Sequence, residues 1–281
     1  MKEQIKQIIA KAPNRLLARN LVREYCQARI LQFLQERGAF TSWIFHGGTA
    51  LRLLYMLPRF SEDVDFALRN TSASSDFVGI ISGVCRSFEA EAYGVESHKL
   101  KEHTPVKSVF ITFPGLFYEL GLSPHRTEAL SIKVELDSRP PDGGMMETSI
   151  IRRYVILNVL HYDKASLLSG KLHAILMRPY FKGRDLYDLY WYMADPSWPE
   201  PNLRFLNEAL RQTKWQGPEV TATNWVEQIT KRLERIDWSQ AVGDVRPLIE
   251  RESNLIQLTR EGVLKLLKSR NLKDRKTNAA G

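Results

Sequence analysis

The sequence predicts an α+β protein: a mixed sheet flanked by helices in its first half and a largely helical second half. Three observations predict it. Segments of helical period alternate with short apolar runs such as "VDFAL" and "SIKVELDS" over the first half. The breaker cluster "RPPDGG" at 139–144 marks a lobe boundary. Beyond about residue 160 the chain reads almost wholly as amphipathic helix. The expected division is a lobe with N-terminal helices over residues 1–150 and a helical lobe over 151–281.

In chain order, "NRLLARNLVREYCQARILQFLQER" at 14–37 has apolar residues at helical spacing and ends at Gly38. "WIFHGG", Trp43 to Gly48, reads as a short strand entering a tight glycine turn. "TALRLLYML" follows as a helix, with Thr49 near its start and Pro58 just past its end. "VDFAL" is a strand by alternation, "NTSASSD" a Ser-rich loop, and 76–92 a helix. "SVFITF" and "SIKVELDS" are two further strands. "KASLLSGKLHAILMRPYF", "RDLYDLYWYMA" and later amphipathic runs are helices. In "YDLYWYM" the aromatic residues occupy more than one face, which favours core over a base-stacking platform. The basic tail "KLLKSRNLKDRKTNAAG" reads as a helix frayed at its end, either brushing an RNA backbone or simply solvated.

Composition narrows the class. With 281 residues, 43% hydrophobic and 26% charged, the chain has the makings of one large soluble domain or two small ones. No apolar run nears the roughly 18 residues that cross a bilayer, and the N-terminus lacks a signal-peptide core, so no membrane partner is expected. Cys26 and Cys85 have no metal-like spacing and point to a reducing, cytoplasmic setting. A net charge of +8 favours a polyanionic partner. The six histidines, His46, His98, His103, His125, His161 and His173, have no metal spacing. His46 stands directly before the glycines, where it either touches a nucleotide or packs at a strand end.

The chemistry gathers around "FHGGTALRLLYMLPRFSEDVDFAL" at 45–68. On a strand, Asp63 and Asp65 project from one face while Val64 and Phe66 enter the core. Such a carboxylate pair can bridge divalent cations for phosphoryl chemistry, and Mg²⁺ suits it because water and substrate phosphates fill its remaining positions. The competing reading is an edge strand with merely solvated aspartates. Gly47 and Gly48 precede a helix start, where free backbone N–H groups and the helix dipole favour an anion, and Thr49 adds a hydroxyl. In "SIKVELDS", Lys133, Glu135 and Asp137 share a face. Were this strand beside 64–68, Glu135 would complete a carboxylate triad, with Asp137 as second choice. A half-exposed amphipathic strand is the other reading.

"GGTALRLLYMLPRFSEDVDF" resembles the signature of the AbiEii-type toxins, in the DNA polymerase β-like nucleotidyltransferase superfamily. That family pairs two glycines and a helix with an R-x-S-x-D-x-D segment, matched by Gly47, Gly48, Arg59, Ser61, Asp63 and Asp65. "KLHAILMRPYFKGRDLYDLYWYM" resembles its second block, with Lys171, Arg178, Arg184, Asp185 and Asp188 at the corresponding positions. The two blocks span roughly residues 44–193. The resemblance implies a nucleotidyltransferase-like sheet, a bound Mg²⁺–NTP, and NMP transfer to an RNA acceptor, the tRNA 3′ end, with translation blocked and an antitoxin nearby. No DNA partner is expected. Asp63, Asp65, Lys171 and Asp185 would be catalytic, with Asp63 and Asp65 on the metal; Glu135, which no family motif fixes, joins them from the strand reading. Gly47, Gly48, Thr49, Arg59, Ser61 and Arg178 would bind the nucleotide.

The second block also has a physical reading. Lys171, Ala174, Ile175 and Arg178 share a helix face, aligning two cations for phosphates or for a leaving pyrophosphate. Asp185 either orients Lys171 or takes part in catalysis, and Asp188 pairs with Arg184 or Arg178. A salt-bridged helical hairpin accounts for the same residues. Three alternatives to RNA transfer stand beside it: NMP transfer to protein, a metal-dependent nuclease, and a non-catalytic RNA- or antitoxin-binding module.

Overall fold

The computed structural model describes residues 2–70 and 76–277, with side chains as far as Arg270. Most of the expected Ser-rich loop, residues 71–75, and the last residues of the basic tail, 278–281, lie outside the described residues.

Side-chain caps start several helices where the sequence places Asn or Asp before an apolar run. α1 (Lys2–Ile9) leads to α2 (Arg15–Glu36), where Asn14 accepts the Leu17 N–H and Gly38 follows at φ 70°. β1 (Trp43–His46) runs without a loop into α3 (Gly47–Tyr55). Then come β2 (Val64–Leu68), α4 (Phe77–Ala90, capped by Asp76), β3 (Glu96–Lys101), β4 (Val106–Pro114), α5 (Leu116–Glu119) and β5 (Ala129–Asp137). β6 (Met146–Arg152) and β7 (Ile156–Tyr162) complete the sheet. Helices follow: α6 (Lys164–Met177, capped by Asp163), α7 (Gly183–Ala194), α8 (Leu203–Gln212), α9 (Trp225–Leu233), α10 (Trp238–Val245) and α11 (Arg260–Thr277).

The sheet is mixed, as expected, with order β3-β4-β5-β2-β1-β7-β6. β2 runs antiparallel to β1 and parallel to β5, while β4 is antiparallel to β5 and β3. β1 and β7 are parallel, with Phe45 opposite His161. One sheet face is apolar and covered: Trp43, Phe45, Val64, Phe66, Val109, Ile111, Phe113, Ile132, Val134 and Leu136 are all buried. α2 and α4 lie on it through edge-to-face rings, Phe33 to Phe88 and Phe88 to Phe113, each 4.9 Å between centroids. Trp43 adds contacts to Phe66 and Phe77 at 5.4 and 5.8 Å. Aromatic pairs of this kind add roughly 0.5–1.5 kcal/mol each beyond the area they bury. The opposite face carries the polar residues of the same strands, so β5 alternates buried and half-buried along its length.

The chain divides into two compact units, and not at 150. The first takes in residues up to 56, 60–140 and 146–161; the second takes in 57–59, 141–145 and everything from 162. The expected boundary cuts β6, because β6 and β7 extend the sheet beyond the "RPPDGG" cluster. His161 is buried in this hairpin, 2.9 Å from Ser149 Oγ. The second unit is helical as expected. Tyr187 and Tyr192 of "YDLYWYM" are buried, and the Tyr192 and Trp191 rings pack on Trp198 at 4.4 and 4.6 Å. Arg270 of α11 donates to the carbonyls of Trp198 and Asp195 at 2.8 and 2.7 Å, which closes this helical core.

Candidate active site

In the first unit the site begins where β1 ends. The glycines expected in a turn before the helix are themselves the first two residues of α3, and Gly47 has φ 78°. That left-handed conformation penalises any residue with a Cβ. Space forbids one too, since a Cβ on Gly47 would lie 2.9 Å from Cγ of Asp65. The helix start thus comes directly against the Asp65 carboxylate, and the capping residue His46 makes no side-chain bond to its N–H groups.

Thr49 is fully buried and its hydroxyl donates to the Asp63 carbonyl, so it anchors the acidic segment. Ser61 is also buried, and its carbonyl accepts from Gln27 Nε2 at 3.1 Å. Both are expected on the nucleotide from the sequence; here the Thr49 hydroxyl and the Ser61 backbone carbonyl are engaged in fixing the chain leading into β2. Asp63 lies just before that strand rather than in it, and Asp63 and Asp65 are both half-buried.

β5 does lie beside β2. Asp65 is paired with Glu135 on one side and with His46 on the other, all on the polar face. The condition for Glu135 as third carboxylate is therefore met, while Asp137 sits one repeat further along, opposite Ala67. Glu135 is bridged by Lys133 at 2.6 Å. Burial pushes the Asp137 carboxyl up, against the pull of the Arg139 N–H and the nearby His46.

Among the described residues no three His, Cys, Asp or Glu side chains are gathered as a metal group. A hard divalent cation does not demand one, since it takes one or two carboxylates and fills its other positions with water and phosphate oxygens. Asp63 and Asp65 are hard oxygen donors of that kind, with a residue lacking Cβ packed against the second. The residues present fit such an ion.

The second unit holds the other motif residues. Asp188 on α7 is fully buried and accepts Arg59 Nε and Nη2, both at 2.6 Å, and Lys171 Nζ at 2.7 Å. Asp185 accepts from Arg178 Nη1 and lies 3.6 Å from Lys171 Nζ. Burial works against the Asp188 charge, yet Arg59 and Lys171 together hold its carboxyl below the usual aspartate range. The expected Asp188 partners, Arg184 or Arg178, are thus replaced by Arg59 and Lys171. Arg59, expected on the nucleotide, is completely buried with its guanidinium forked onto Asp188, and serves as a structural clamp. Of these cations Lys171 and Arg178 keep exposed surface, with side chains 15% and 36% accessible. Asp185 stands within ion-pair reach of Lys171, with Asp188 the closer of its two acids. His173 is tied to Thr213 Oγ1 at 2.9 Å, and burial lowers its pKa.

Sequence reasoning missed the Arg59–Asp188 pair, which bridges 129 positions. No spacing rule links residues so far apart.

No curated protein matches the chain significantly. Solved structures match across nearly its whole length at low identity. JHP933 from Helicobacter pylori superposes with TM-score 0.57 and 18% identity, over 93% of this chain and 95% of its own. MenT4, a nucleotidyltransferase toxin from Mycobacterium tuberculosis, gives TM-score 0.51 and 14% identity, over 96% and 98%. These likenesses establish a shared fold. The sequence itself matches the family described as "Nucleotidyl transferase AbiEii toxin, Type IV TA system" over residues 29–256, which takes in the glycine helix start, the acidic strand and the Lys171–Asp188 block. The chain belongs to the AbiEii nucleotidyltransferase toxin family.

Proposed function

We propose that this nucleotidyltransferase moves NMP from a Mg²⁺-bound NTP to an RNA acceptor, the 3′ end of tRNA, and so blocks translation in the cytoplasm until a cognate antitoxin counters it. The observation that supports this reading best is the Asp65–Glu135 pairing across β2 and β5, with Gly47 against Asp65. Among the described residues no helix is long and apolar enough to cross a membrane.

Asp63 and Asp65 would hold the ion, which when bound supplies charge stabilisation at the phosphates. The α3 N–H groups receive a phosphate oxygen, helped by the helix dipole. Glu135 takes the proton from the acceptor 3′-hydroxyl, whose oxygen attacks the α-phosphorus. The bond from that phosphorus to the β-phosphate oxygen breaks in line, and pyrophosphate leaves. The family resemblance also assigns Lys171 and Arg178 to the nucleotide, and both keep exposed surface in the second unit. Thr49 holds the Asp63 backbone, and Arg59 is clamped on the Asp188 carboxylate. Positioning and electrostatics supply most of the rate in such chemistry.

The test is incubation of the protein with Mg²⁺, each α-labelled NTP in turn and total tRNA, resolved on denaturing gels. Label on tRNA that disappears with Asp65→Ala is the expected result. Label on protein would replace RNA with a protein acceptor, and shortened RNA without label would indicate nuclease chemistry.

A further inference from the structure

The polar face of the sheet continues past the carboxylates. In register across β2, β5, β4 and β3 lie Asp65, Glu135, Ser108 and Lys101. The next row on that face holds Lys133, Phe110 and His98. Phe110 is a diagonal neighbour of Glu135, about 7–8 Å away at such positions.

This row has features that packing does not ask for. The His98 and Phe110 rings are stacked at 5.7 Å with an interplanar angle of 11°. His98 Nε2 is fixed at 2.7 Å from Thr112 Oγ1. Lys99 Nζ stands 5.3 Å from the Phe110 centroid. The ladder between β3 and β4 slips between His98 and Lys101, and Lys99 there has φ 55°, an uncommon conformation for lysine. Such bulges re-aim side chains and gather near functional sites. Lys99 and Lys101 are exposed, on a strand with no buried residue. Glu96, the acidic residue of β3, is opposite Thr112, two rows from Glu135.

We propose that this patch, Phe110 and His98 with Lys99 and Lys101, seats the single-stranded acceptor RNA, a base joining the ring stack while the lysines meet its phosphates. The inference rests on the RNA-acceptor reading and locates the acceptor on the β4–β3 side of Glu135. Stacking suits an acceptor because every base has a π-face, and each stacked base contributes about 1–3 kcal/mol. The cationic flank and a net charge of +8 match a phosphate backbone.

The test uses the full chain and a short fluorescein-labelled single-stranded RNA, without NTP, read by anisotropy at fixed salt. Phe110→Leu keeps apolar bulk and removes the aromatic face; it should weaken binding about tenfold. The Lys99→Glu, Lys101→Glu double variant, at exposed positions, should weaken it at least as much and flatten the salt dependence. Lys99→Gly suits the left-handed backbone, so it should fold at least as well as wild type and still lose affinity. In transfer assays the KM for RNA should rise in each variant while the KM for NTP holds. Wild-type RNA affinity in both Phe110→Leu and the double variant would overturn the proposal. Labelling of tRNA with an unchanged RNA KM in every variant would keep the transfer reading and remove this seat. RNA binding lost in the variants, from a wild type that labels no RNA, would keep the seat and remove the transfer reading.

Discussion

Gly47 and Asp65 constrain one another. A methyl group on Gly47 has no space beside the Asp65 carboxylate, and φ 78° strains any side chain there. Gly47→Ala should therefore cost about 1–2 kcal/mol in melting and at least a hundredfold in transfer rate, because the carboxylate has to move. Asp63→Ala and Asp65→Ala should each lower the rate by roughly 10³-fold with far-UV circular dichroism unchanged; wild-type rates in either would remove these residues from the chemistry. Asp188 is a different case, since its partners Arg59 and Lys171 are held by it. Asp188→Ala leaves buried cations uncompensated and should destabilise the protein by about 3–5 kcal/mol in urea. Its folded pKa is depressed, so its contribution is present above the unfolded aspartate value and lost as pH falls through the folded one. Melting temperatures should drop more steeply below about pH 4 in wild type than in Asp188→Asn.

At the scale of elements, contact between α7 and α10 depends on one missing side chain. A Cβ on Gly183 would come 2.8 Å from the Ala241 carbonyl carbon, and the Gly183 N–H donates to Asp244 Oδ2 at 2.7 Å. Gly183→Ala should push α10 off the start of α7 and lower the melting temperature, while Gly243→Ala, with open space at its Cβ, should not. Such packing was not legible in the sequence, whereas the elements themselves largely were. α2, β1, α3, β2, β4, β5 and α6 each carry a strong period or a punctuating Gly, Pro, Asn or Asp. β3 escaped because "ESHKLK" is exposed except at half-buried His98 and has no apolar alternation. β6 and β7 escaped because they follow a breaker cluster that reads as a boundary. Of the site, the carboxylates and the glycines were legible from local chemistry. The contacts of Thr49 and Arg59 were not, because a hydroxyl or guanidinium looks the same in sequence whether it faces a ligand, a backbone carbonyl or a distant carboxylate.

For the molecule as a whole, charge and connectivity matter most. A basic chain that engages a polyanion releases counter-ions, so the KM for RNA should climb steeply with salt while the KM for NTP changes less. A salt-independent RNA KM would argue against backbone contacts. Connectivity is less ordinary: after α3 the chain lends only residues 57–59 to the second unit before returning for β2, and it repeats the excursion at 141–145. Arg59 is the fixed point of the first excursion, clamped by Asp188 and bridged to Ile249. For gene recombination this works as a lock. Any crossover between codons 59 and 188 takes the arginine from one parent and its counter-ion from the other. A chimaera in which the pair no longer matches carries a buried, unmatched charge, a penalty comparable to much of the 5–15 kcal/mol by which such proteins hold together. Exchange of the chain from 162 onwards between relatives is therefore expected to succeed only where the incoming parent supplies an acid at 188, so residues 57–59 and that segment should pass through evolution together.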